Sequence, residues 1–195
     1  MRCCEINRKT NETDISLKLN IDGEGRAKIN SGCGFLDHML TLFAVHSGFD
    51  LDLLCKGDTY VDYHHSVEDI GIALGTAFKK NLGDKAGIAR YAHIILPMDE
   101  ALILCAADIS GRAHLSLDLG ALPEKIGDFD TELCEEFLLG FVRNSDITLH
   151  VKRLSGKNAH HIAEGVFKAL GRTLCAAAKI DDPNNKKIPS SKGVL

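Results

Sequence analysis

His64-His65-Ser66-Val67-Glu68 returns ninety-six residues later as His160-His161-Ile162-Ala163-Glu164. The register runs on past these residues, because Ala73-Leu74-Gly75 returns at the same offset as Ala169-Leu170-Gly171. A histidine and a glutamate three apart on a helix lie on one face and can grip one cation. Two such grips, one in each half of the chain, point to an internal duplication that assembles a two-metal site.

Outward from the first copy, Ile15 to Ile21 alternates apolar and polar, the pattern of a half-buried strand. A turn at Asp22-Gly23-Glu24-Gly25 leads into a return strand, Arg26 to Asn30. A helix follows from Phe35 to His46, then a short strand, Leu51 to Cys55, and a long helix from His65 to Leu82 with Val67, Ile70, Leu74, Ala77 and Phe78 on one stripe. Around the second copy, strands at Ala92–Leu96, Leu102–Ile109 and Ala113–Leu119 precede a helix from Asp130 to Arg143, capped by Thr131 or Asp130. A strand at Ile147–Val151 and a final helix from His160 to Lys179 complete it. The expected fold is α+β: two duplicated sheet-and-helix halves, residues 1–88 and 89–180, packed together without a linker. Residues 181–195 form a polar tail with Pro183 and Pro189 that in isolation carries no folding signal.

Composition narrows the function. The chain has 195 residues, 45% of them hydrophobic and 26% charged, as in a globular protein with a real core. A net charge of −4 without a basic run argues against nucleic acid. No apolar stretch reaches the roughly 18–20 residues that span a bilayer, so no membrane is expected. The seven cysteines are odd in number and form no Cys-x-x-Cys pair, which reads as reduced thiols in a cytoplasmic protein.

Adjacent helical residues point about 100° apart, so His65 pairs with Glu68 and His161 with Glu164, while His64 and His160 face elsewhere. With the halves related by an approximate two-fold, those outer histidines can reach the other half's metal. The preceding helices add His38, twenty-six residues before His64, and Glu136, twenty-four before His160. Imidazole with carboxylate suits manganese, iron, zinc or nickel better than magnesium or calcium.

The chain resembles the imidazoleglycerol-phosphate dehydratase family. The resemblance is carried by Gly34-Phe35-Leu36-Asp37-His38-Met39-Leu40, by Asp62-Tyr63 with the first motif, by Pro97-Met98-Asp99-Glu100-Ala101, by Asp108-Ile109-Ser110-Gly111-Arg112, by Thr148-Leu149-His150, by Asn158-Ala159 with the second motif, and by Pro189-Ser190-Ser191-Lys192-Gly193-Val194-Leu195. It implies a duplicated fold similar to the second domain of ribosomal protein S5, two Mn2+ per active site and a homo-oligomer of 24 subunits. One metal would be held by His38, His65, Glu68 and His160, the other by His64, Glu136, His161 and Glu164. Many relatives of this kind carry histidine where this chain has Glu136. Arg90, Arg112, Lys168, Ser190, Ser191 and Lys192 would bind the substrate's phosphate, guanidinium groups in fork geometry and the serines and lysines as further donors. The implied reaction removes water from imidazole glycerol phosphate to give imidazole acetol phosphate, a step of histidine biosynthesis. The departing hydrogen is not acidic. Two metals on the ring nitrogens would favour imidazolate, which can expel the hydroxyl to a diazafulvene-like intermediate. Glu12 would contact substrate and move the proton.

Two other classes fit less of the chain. A di-metal phosphoesterase calls for bridging aspartates, and none suggests itself here. A structural metal module accounts for the histidines but not for the phosphate set.

Overall fold

The computed structural model describes residues 1–180 and 187–195. The first half is β1 (Cys3–Lys9), β2 (Thr13–Asn20), β3 (Ala27–Asn30), α1 (Gly34–Ser47), β4 (Asp50–Gly57) and α2 (His64–Leu82). The second is β5 (Tyr91–Met98), β6 (Ala101–Asp108), β7 (His114–Asp118), a small hairpin β8 (Lys125–Ile126) and β9 (Phe129–Asp130), α3 (Leu133–Ser145), β10 (Thr148–Ser155) and α4 (Ala159–Ala178). The two main sheets have the same order, β1-β2-β4-β3 and β5-β6-β10-β7. In each, the third strand runs parallel to the last, with a helix crossing between them. The α+β class with duplicated halves is therefore observed directly.

Alternation explains the sheets. In β2 the side chains of Thr13, Ile15, Leu17 and Leu19 turn inward, and the residues between them face out. Each sheet carries two helices on its inner face, and the two helix layers meet, α2 against α3 and α1 against α4. The long helices are covered on both sides, so α4 buries residues almost all round its surface.

Glycines set the approach between the halves. A Cβ on Gly75 would lie 2.3 Å from the carbonyl oxygen of Phe141, and one on Gly171 would lie 2.7 Å from that of Phe43. Phe43 and Phe141 are themselves matched by the repeat of α1 and α3, so the same glycine-on-carbonyl contact is made twice.

Two local expectations are corrected. β3 does not return along β2 as a hairpin; it joins the far edge of the sheet, parallel to β4, and β2 pairs instead with β1 and β4. Asp50, at the start of β4, makes that path possible. Its carboxylate accepts from the N–H groups of Glu24 (2.9 Å) and Arg26 (3.0 Å) and from the Arg26 guanidinium (3.0 Å). Neither Thr131 nor Asp130 caps α3; the N-cap is Glu132, without a side-chain bond, and the Thr131 hydroxyl donates to the Pro123 carbonyl instead (2.6 Å). β1 and the β8–β9 hairpin had no strong alternation to announce them. Residues 181–186 of the expected tail lie outside the described residues.

Replacing Gly75 with alanine gains about 1 kcal/mol of helix propensity. It also drives a methyl into a backbone carbonyl, and overpacking of this kind costs about 1–3 kcal/mol and cannot be relieved by a rotamer change. We expect Gly75→Ala to lower stability to chemical denaturation, whereas Gly34→Ala, with open space around it, stays within about 0.5 kcal/mol of wild type.

The Arg26 guanidinium and the two backbone donors hold the Asp50 carboxyl well below the usual carboxylate range. A depressed folded-state pKa stabilises above the unfolded value of 3.8 and is lost as pH falls through the folded one. Asp50→Asn should thus destabilise the protein most at neutral pH. The gap to wild type should narrow in denaturation curves recorded progressively below about pH 4.

Candidate metal centre

Both histidine pairs open a helix, and the same device places them. The Asn158 side chain caps α4, accepting from the backbone N–H of His160 (2.9 Å) and of His161 (3.3 Å). Ninety-six residues earlier Asp62 accepts from the N–H of His64 (2.8 Å). The β8–β9 hairpin braces both starts. Asp128 accepts from the Tyr63 hydroxyl (2.8 Å), and Phe129 packs on Phe35 (4.9 Å between centroids), which meets the His160 ring edge-on.

One cluster forms among the described residues. Ligand atoms of His38, His160 and Glu164 lie within 4.8 Å of one another. His160 Nε2 is 3.4 Å and His38 Nε2 is 3.8 Å from Glu164 Oε2. Glu164 is 8% exposed, and its other oxygen takes the Lys168 ammonium, which also donates to Met98 Sδ (3.4 Å). Burial pushes the Glu164 carboxyl up, but Lys168, His38 and His160 outweigh it and hold it below the usual range. It is a carboxylate with one oxygen facing two imidazoles.

The grip is four apart, not three. His160 rather than His161 faces Glu164, because His161 is drawn away: its Nδ1 sits 2.7 Å from Glu100. Glu100 in turn accepts from the N–H groups of Lys157 and Asn158 and is pulled down to about 2 by His161 and these donors. His65 repeats the arrangement with a different partner, Asp58, 3.0 Å from Nδ1. A carboxylate on Nδ1 fixes the ring and presents Nε2 outward, as metal-binding histidines require. Each Nε2 has an acid 3.8 Å away, Glu12 for His65 and Asp99 for His161.

His64, Glu68 and Glu136 occupy positions matched by the repeat to His160, Glu164 and His38, on α2 and α3 instead of α4 and α1. Among the described residues they do not converge into a second cluster.

The loop bearing Glu12 is tied to this machinery by a closed ring of bonds. Asp69, one turn beyond His65 on α2, accepts from the Thr13 hydroxyl (2.5 Å) and from Arg8 (2.6 and 3.0 Å). Thr10 Oγ1 accepts from the N–H groups of Glu12 (3.1 Å) and Thr13 (2.9 Å). The Glu12 carbonyl accepts from Asp58 N–H (3.1 Å), and Asp58 returns to His65. Sequence reading missed Asp58, Asp69, Arg8 and Glu100. Only the Asp62 and Asn158 pair, at the repeat offset, could have been found from spacing.

The expected phosphate residues are gathered in part: Arg90 and Arg112 both reach Asp108, and Arg90 touches the tail beside Ser190. Arg90 is already engaged, donating twice to Asp108 (2.7 and 3.2 Å) and once to the Pro189 carbonyl (2.7 Å), and it stacks over Tyr91. Arg112 is exposed, as are Ser191 and Lys192, and Ser190 is partly covered beside them. Lys168 lies instead against Glu164. None of the seven cysteines is in a disulfide, and burial pushes Cys105 and Cys134 up to about 12, so neither is a ready nucleophile. No helix among the described residues is long and apolar enough to cross a membrane.

A family model for imidazoleglycerol-phosphate dehydratase matches residues 31–174. Imidazoleglycerol-phosphate dehydratase of Caldicellulosiruptor bescii is 56% identical across all of this chain and 98% of its own length. That of Oceanobacillus iheyensis is 53% identical over the whole of both. Among solved structures, the Pyrococcus furiosus enzyme superposes with a TM-score of 0.85 at 38% identity, covering 97% of this chain and all of its own. The Staphylococcus aureus enzyme gives 0.81 at 40%, covering 90% and 97%. Duplicated halves with imidazole and carboxylate gathered at helix starts, in such company, define a carbon–oxygen lyase. The chain belongs to the imidazoleglycerol-phosphate dehydratase family, the hydro-lyases of that name in histidine biosynthesis.

Removing the Asp69 charge opens the ring at its most buried point. Asp69→Asn is expected to cost about 1–3 kcal/mol, the range for a buried hydrogen-bonded charge. It should also speed hydrogen exchange at Glu12 and Thr13, while exchange in α3 follows only the global loss. Unchanged protection of those two amides would show that Asp69 does not hold the loop.

Proposed function

We propose that two manganese ions serve each active site, one held by His38, His160 and Glu164 and one by their repeat-matched counterparts Glu136, His64 and Glu68. His65 and His161 complete the two sites from a neighbouring copy in a cytoplasmic homo-oligomer, with 24 subunits as the family resemblance implies. The observation that carries this reading is the convergence of two imidazoles and one charged carboxylate oxygen within 4.8 Å. That donor set fits a borderline divalent ion. The outward Nε2 atoms of His65 and His161, each backed by a carboxylate, support the sharing between copies.

When bound, the ions would supply Lewis acidity that favours loss of the ring N–H proton, and the deprotonated ring's electrons could then expel the neighbouring hydroxyl. The chain's own groups do the rest. Glu12, on its pinned loop, takes and returns a proton as general acid and base. Asp58 and Glu100 keep His65 and His161 in the tautomer with Nε2 free. Lys168 keeps Glu164 ionised. Arg112, Ser190, Ser191 and Lys192 receive the phosphate as charge-assisted donors, and Arg90 adds to them by fixing the tail through Pro189. The tail would thus fold over the substrate.

Metal analysis of manganese-reconstituted protein should find about two ions per chain, and Glu164→Gln should lose one of them through a roughly 10–100-fold drop in affinity. Glu12→Gln should keep both while turnover falls roughly 10²–10⁴-fold. Full turnover by the Glu12→Gln protein, with its metal content intact, would remove Glu12 from the mechanism.

A further inference from the structure

We propose that a cleft between the C-terminal ends of α2 and α3 is a second anion site, shaped for a small tetrahedral dianion of the phosphate class. The cleft has a volume of about 740 Å³ and is lined by Lys79, Lys80, Lys85, Arg143 and Asn144, with Asp146 the one carboxylate side chain among its lining residues. Lys79 pairs with Asp146. That leaves Lys80, Lys85 and Arg143, for which the described residues provide no ion pair or hydrogen bond to the charged group.

Lys85 is the decisive residue. It is only 7% exposed, and among the described residues no carboxylate side chain comes within ion-pair distance of its ammonium; Asp146, paired with Lys79, acts on it only from further off. Its backbone is left-handed, φ 62°, pinned by donation of its N–H to the Leu82 carbonyl (3.0 Å). A non-glycine residue in that conformation is strained, and covering an ammonium that has no ion pair is costly. Burial accordingly draws its pKa down. The fold bears both penalties at one side chain that lines a cationic cleft. Such outliers persist where the surroundings hold a group ready for a ligand. A dianion there would gain charge-assisted bonds from three cations at once.

The site is separate from the metal centre. His64 begins α2 and the cleft lies at its other end, nineteen residues on, or roughly 27 Å along the axis. It adjoins the tail, because Gly111 and Leu195 also line it.

The test is a sulfate titration of the metal-loaded, full-length protein, followed by calorimetry, in wild type and in Lys85→Met, Arg143→Gln and Arg112→Ala. Saturable binding should survive Arg112→Ala. It should weaken about tenfold in each of the other two, the equivalent of one charge-assisted bond. Arg143 is exposed on α3, so its variant carries the test if Lys85→Met fails to fold. Repeating the titration with glycerol phosphate in the Arg112→Ala protein separates the two sources of such a group. Tighter binding than sulfate identifies a phosphorylated metabolite, and equal binding a free anion. Loss of binding in Arg112→Ala with the other two unaffected would place the anion in the tail, and no saturable binding in wild type would remove the site; either result overturns the proposal.

Discussion

Backbone contact between helices of opposite halves is the constraint on which the rest depends. Helix axes normally stand 8–10 Å apart, separated by side chains. Here Gly71 and Gly75 bring α2 onto the carbonyls of Phe137 and Phe141, and Gly171 brings α4 onto that of Phe43. His38 and Glu164 belong to α1 and α4, in different halves, and their side chains are short beside the width of a helix. They meet only because Gly171, two turns along α4, has removed the spacer. The repeat of the motif and the repeat of the glycine are therefore one fact: the meeting of His38 and Glu164 needs the seam, and the seam needs a residue without Cβ.

The two halves share a ligand grid but not what stands behind it. His65 is backed by Asp58, from the loop after β4, and His161 by Glu100, from the β5–β6 turn. The two carboxylates come from different elements and bear no repeat relation. Asp69, which ties the Glu12 loop to α2, has Gly165 as its counterpart, packed against Ile103 with no polar group at all. The half with Asp69 presents Glu12 beside its outward histidine, and the other presents Asp99. Two repeat-matched sets of imidazole and carboxylate thus sit in unequal surroundings. That inequality is what the proposed proton transfer by Glu12 would draw on within a symmetric frame.

Much of this was legible beforehand for a physical reason. Helix starts depend on residues within one turn, and the ninety-six-residue offset exposed them twice over. Strand partners were harder. Arg26 to Asn30 follows a turn sequence after β2 and looks like a hairpin return, but Asp50, twenty-four residues on from Arg26, diverts it to the far side of the sheet. Choice of carboxylate was hidden for the same cause. His161 has Glu164 at a workable spacing on its own helix, yet it turns to Glu100, sixty-one residues away, a partner that only the folded sheet brings within 2.7 Å. Wherever a contact crosses from loop to helix, local spacing had nothing to say.

The tail shows how one residue can serve the substrate indirectly. Taken alone, Arg90 is a phosphate ligand by type. In the fold its guanidinium is spent on Asp108 and the Pro189 carbonyl, and its own backbone is left-handed at φ 73°. A guanidinium so held has little freedom to swing onto a ligand, since each bond to Asp108 would have to be broken first and the half-buried carboxylate left short of a partner. Its bond to Pro189, by contrast, fixes the residue just before Ser190, and so the direction from which Ser190, Ser191 and Lys192 approach. Arg112, exposed and within 4.0 Å of the same Asp108, is the guanidinium free to move. The division of labour proposed for the two arginines follows from burial: the covered one sets the tail, and the open one is left to meet a charge.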